Sequence, residues 1–145
     1  MDEAQQDKYL IEGSFLKVPK TFTIFNTNRT EVAVITKKVF SFLPQFSLEM
    51  NGREILTIKK AFTFFKARYS IEGAGIEVNG NWLDMEFEVL QNGQTIGRVN
   101  KKWLSWGDSY EVQILSDEHE EIVIAIVVAI DCVKADQQAA ANAAP

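Results

Sequence analysis

One cysteine and one histidine stand among 145 residues, and both shortages exclude chemistry. Cys132 alone closes no internal disulfide, and a zinc site of two or four cysteines is ruled out. Such usage suits a reducing compartment. His119 lies in the acidic stretch Ser116-Asp117-Glu118-His119-Glu120-Glu121, surroundings that suggest a solvated turn residue and no serine–histidine triad. Excess positive charge is missing too: fifteen basic residues against twenty acidic ones leave a net charge of -5. Nucleic acid is wrapped mainly by neutralising its phosphates, so no nucleic-acid partner is expected. Residues 1 to 8, MDEAQQDK, are polar and acidic where a secretory signal would be basic and then apolar, so a cytoplasmic protein is expected. The apolar run at 122–130 has nine residues, against the roughly 20 of a membrane-spanning helix.

What the chain does have is a repeat. RTEVAVITKKVFSFLPQF (29–46), GREILTIKKAFTFFKARY (52–69) and GQTIGRVNKKWLSWGDSY (93–110) align without a gap. Lysine recurs at Lys37, Lys60 and Lys101, and a ring closes each window at Phe46, Tyr69 and Tyr110. A partial fourth copy, GSFLKVPKTF (13–22), lines up with 37–46 and lacks both lysines. From each closing ring onward apolar and polar residues alternate, the period of a half-buried strand. Asn51-Gly52, Asn79-Gly80 and Asn92-Gly93 follow alternating runs and read as tight hairpin turns. Asn26-Thr27-Asn28-Arg29 takes the equivalent place in the first window. Strands are expected at about 9–18 with a bend, 21–26, 31–39, 45–50, 54–62, 68–72, 75–79, 82–90, 95–103 and 109–115, with antiparallel neighbours.

EIVIAIVVAI (121–130) is strand-like by propensity alone. Its continuation through Asp131, Cys132, Val133 and Lys134 into Ala-rich sequence favours a helix of about three and a half turns, started by Ser116 or Asp117. A helix apolar on all sides has to be surrounded. At about 1.5 Å per residue it is too short for a bilayer core, so a closed or nearly closed antiparallel barrel around it is the expected architecture.

With KKWLSWGDSYEV followed by EIVIAIVVAIDCV, and with RYSIEGAGIEV and FSFLPQF, the chain resembles bacterial members of the LURF-one-related (LURP-one) family. These share the Tubby C-terminal-like fold with phospholipid scramblases. The resemblance covers about 9–134 and implies a mainly β protein, an antiparallel β-barrel of about ten to twelve strands enclosing a hydrophobic C-terminal helix. It leaves 1–8 as a disordered segment and 135–145 as a low-complexity tail. It also implies a further hairpin ahead of Tyr9, where only eight polar residues stand here. The expected barrel is therefore two strands short, and its open edge would invite pairing with a second copy.

No constellation of catalytic residues emerges, so a non-enzymatic domain without cofactor or metal is expected. Asp131 closes an apolar run and needs water or a partner; Lys60 or Lys101 at a barrel mouth would serve. Lys37, Lys59, Lys60, Lys66, Arg68, Lys101 and Lys102 recur beside aromatic residues, and repeat symmetry would gather several at one rim. There they would meet the phosphates of anionic phospholipids at a membrane surface. A protein-interaction scaffold or homodimer built on the open edge and aromatic faces is the competing expectation.

Overall fold

A computed structural model describes residues 9–14, 20–40, 43–62, 67–82, 84–104 and 107–143. Among these, ten strands precede one helix: β1 (Tyr9–Ser14), β2 (Lys20–Asn26), β3 (Glu31–Phe40), β4 (Leu43–Met50), β5 (Arg53–Phe62), β6 (Ala67–Glu72), β7 (Ile76–Asn81), β8 (Glu86–Gln91), β9 (Gln94–Leu104), β10 (Gly107–Ile114) and α1 (Glu120–Ala143). The fold is mainly β. Residues 15–18, expected to continue the first strand, lie outside the described residues.

In place of one barrel there are two open antiparallel sheets. Six strands run β1 to β6 in sequence order, and four run β10-β9-β8-β7. Among the described residues neither sheet closes on itself, which corrects the expected barrel. The cause is local. Gly73, Ala74 and Gly75 all take positive φ, 127°, 53° and 66°, so the chain leaves the pleated conformation between β6 and β7 and the ladder ends there. The chain divides into compact units at this bend, the first ending at Gly73 and the second beginning at Ala74.

In the first unit Ile24, Ala33, Ile35, Phe46, Leu48, Leu56 and Ile58 are all 2% exposed or less. Register places Ile35, Leu48 and Leu56 in one row and Phe46 with Ile58 in the next, on one face of the sheet. The loop after β2 is set by Asn26, whose Oδ1 accepts from the backbone N–H groups of Asn28 (2.9 Å) and Thr30 (3.0 Å). Arg29 then adopts φ 61°. Asn51-Gly52 forms the turn between β4 and β5, as its sequence requires.

In the second unit Asn92-Gly93 likewise turns β8 into β9. Asn79-Gly80 does not turn. It pairs within β7, opposite Glu88 and Phe87, and the reversal falls at 82–85. There Met85, at φ 58°, donates its N–H to the Trp82 carbonyl, and Asn81 Nδ2 donates to Asp84 Oδ2 at 2.6 Å. Gly80 serves another purpose. At φ 123° a Cβ would lie 2.6 Å from the Glu86 carbonyl oxygen, so the site tolerates no side chain.

Ser116, extended at φ -145°, opens a 3₁₀ turn at Asp117–His119 that leads into α1. The helix has 24 residues, longer than expected, because the Ala-rich sequence after Lys134 favours helix continuation. Val123, Ala125, Ile126, Val127, Ala129, Ile130 and Val133 are buried. Burial is incomplete around its circumference: Glu121, Asp131 and Ala135 are exposed along one stripe, with Ile124 and Val128 half-buried between them. A Cβ on Gly97 of β9 would come within 2.7 Å of Val123 Cγ1, so the glycine lets α1 approach the sheet. Among the described residues no helix is long and apolar enough to cross a membrane.

Candidate functional site

The register turns the sequence repeat into geometry. Lys37 lies opposite Phe46, Lys60 opposite Tyr69, and Lys101 opposite Tyr110. Each recurrent lysine is thus the cross-strand partner of the ring that closes its window. The repeating unit is a hairpin, and its lysine sits toward the end where the two strands are joined.

Because β1 to β6 alternate in direction, the lysine-bearing hairpins β3–β4 and β5–β6 are joined at the same end of the six-stranded sheet as β1 and β2. Lys20 is opposite Lys37; Lys38 is opposite Gln45, which is opposite Lys59; Lys60 and Arg68 occupy the next positions out. Among the described residues this end holds six basic positions, Lys20, Lys37, Lys38, Lys59, Lys60 and Arg68, and Glu72 is near enough to pair with Lys59. The turns at the other end carry Arg29, Glu31, Glu49, Arg53 and Glu54, with the two signs interleaved.

Individual positions differ in what surrounds them. Lys37 is half-buried on the face of Phe46 and Ile58, so its stem covers the edge of the core. Lys59 lies on the other face, is exposed, and pairs with Glu72 at 3.2 Å. Side chains of Lys60 and Arg68 lie outside the description, and Lys66 lies wholly outside the described residues. Lys20 was not among the expected site residues because the partial repeat holding it has no lysine in the matching position. Its pairing with Lys37 across β2 and β3 supplies the missing signal.

Lys101 and Lys102 belong to the second unit, opposite Tyr110 and Ser109. The surroundings of Tyr110 are mixed in charge. Tyr110 Oη donates to Asp131 Oδ1 at 3.3 Å, and Lys134 Nζ stands 5.5 Å from the Tyr110 ring centroid. Asp131 therefore has both solvent and a hydroxyl donor at the helix surface. Nearby Cys132 is pushed up to about 12, first by burial and then by the negative charge of Asp131. A thiol so strongly protonated is a poor nucleophile. His119 is built into the helix start: its Nδ1 is 2.8 Å from Ser116 Oγ, and its N–H donates to the Ser116 carbonyl.

A family model described as LURP-one-related matches residues 1–131. The uncharacterised protein YxjI of Bacillus subtilis (strain 168) is 32% identical over 133 residues, covering 91% of this chain and 82% of that protein. No solved structure matches.

Proposed function

The chain belongs to the LURP-one-related family, and from that premise we propose that it is a non-enzymatic domain that binds anionic phospholipid headgroups as a peripheral membrane protein. The convergence of basic positions on one end of the six-stranded sheet carries this reading. Near an anionic membrane each basic residue contributes about 1 kcal/mol, so four to six acting together give reversible attachment. Interleaved aromatic positions in the same segments suit the headgroup region, where a ring is partly wetted. Co-sedimentation with liposomes tests the proposal: binding to phosphatidylserine or phosphoinositide vesicles should weaken as salt rises, and the absence of salt-sensitive binding on every anionic composition removes it.

The second reading is a homodimer through the edge of the six-stranded sheet. It is favoured by Ile11 on edge strand β1, whose side chain is 46% exposed. Light scattering should then show a concentration-dependent dimer that Leu10→Pro weakens. A strict monomer at high concentration eliminates this reading.

A further inference from the structure

The charge of this protein is divided between its units. Residues 1–73 hold eleven basic and eight acidic residues, whereas 74–145 hold four basic and twelve acidic ones. A molecule of net charge -5 thus carries a first unit of net +3 and a second of net -8. Within the first unit the basic residues concentrate further, at the sheet end described above. Register spreads them over β2, β3, β5 and β6. Four steps between adjacent strands, at about 4.8 Å each, make this row roughly 19 Å wide. Lys37 and Lys59 point to opposite faces of the sheet, so these two cations do not converge on one point.

Resting on the lipid reading, we infer that the partner of this end is an extended anionic bilayer surface, touched through several headgroups at once. The first unit makes the contact, and the second, repelled by the same surface, does not. Width and divergence of the cations argue against a stereospecific pocket for one headgroup. The acidic second unit argues against a long nucleic acid, which would follow the protein beyond the basic end.

Vesicle flotation of the full chain tests this. Phosphatidylserine vesicles and phosphoinositide vesicles matched in surface charge should bind alike, and soluble inositol trisphosphate should not displace the protein. At about 1 kcal/mol per basic residue, the triple variant Lys37→Gln, Lys59→Gln, Lys60→Gln should lose roughly 100-fold in partitioning. Arg98→Gln, whose guanidinium pairs with Glu88 at 3.0 Å in the second unit, should change it little. Trp82, Trp103 and Trp106 all lie in the second unit, so brominated acyl chains should leave their emission unquenched.

Displacement by inositol trisphosphate overturns the inference in favour of a single-headgroup site. A larger loss from Lys101→Gln with Lys102→Gln than from the triple variant, or quenching of the tryptophans, overturns the assignment to the first unit. A single-stranded oligonucleotide bound where vesicles are not overturns the bilayer as partner. Failure on every anionic vesicle removes the lipid reading itself, and the inference with it. Should the triple variant not fold, as judged by circular dichroism, the competition and quenching arms on the unaltered chain still decide.

Discussion

The six-stranded sheet and the four-stranded unit with its helix are built from the same hairpin phrase and put it to different use. In the first, Lys37 and Lys60 share one sheet end with Lys20, Lys38, Lys59 and Arg68, and Glu72 pairs with Lys59. In the second, Lys101 holds the same register against Tyr110, but Tyr110 is tied to Asp131 and faced by Lys134. A shared architectural rule thus fixes where a lysine stands, while the neighbours determine whether it belongs to a positive field. Phe46, the aromatic partner in the first window, is a core residue. Charge is the feature that separates the two regions.

The comparison can be broken at the cores first. Ile130 in α1 and Leu48 in β4 are each fully buried, so Ile130→Ala and Leu48→Ala should each cost about 2–5 kcal/mol in urea unfolding. A much smaller cost at Ile130 would show that the helix is not a core element of its region. Cys132 sharpens the same point chemically. With its pKa pushed up to about 12 against an ordinary 9.0, the native thiol should react with a disulfide reagent at least about tenfold more slowly than the unfolded one, the smaller thiolate fraction being partly offset by its greater nucleophilicity. The linked stability has a definite sign: a pKa raised by folding leaves stability intact below about 9 and erodes it as pH climbs toward 12. A reaction equally fast with and without denaturant would contradict the burial.

Gly97→Ala tests the close approach of helix and sheet. The added methyl must displace Val123, at an expected cost of about 1–3 kcal/mol by thermal melting. Ser47→Ala acts in the opposite direction in the first region. The Ser47 hydroxyl is buried without a hydrogen-bond partner, so its removal should be neutral or stabilise by up to about 1 kcal/mol. Smallest of all is Lys59→Ala, where breaking a solvated pair with Glu72 should cost less than about 0.5 kcal/mol in stability.

Much of the strand map was legible because alternation and Asn-Gly turns are local signals. Phe46, Ser47 and Leu48 show one limit. All three are buried in this central strand, where alternation alone would expose Ser47. Asn79-Gly80 shows another: the dipeptide looks like a turn, yet its glycine is required by a backbone passing at 2.6 Å, a distance no residue pattern encodes. Gly73-Ala74-Gly75 could be read as a bend, but whether a ladder survives a bend depends on backbone angles. The helix start at Ser116 was readable from its capping residue type; the side-chain bond went to His119 instead of the helix backbone. The recurrent lysines of the proposed basic sheet end were visible as a repeat, whereas Lys20 emerged only through its register with Lys37, which joins strands that are neighbours in space.

Acetylation of lysines on the unaltered chain, read by mass spectrometry with and without phosphatidylserine vesicles, bears most directly on the role of the basic sheet end. Vesicles should protect Lys37, Lys38, Lys59 and Lys60 while leaving Lys101 and Lys134 as reactive as before. Equal protection in both regions, or protection confined to Lys101 and Lys134, would contradict it.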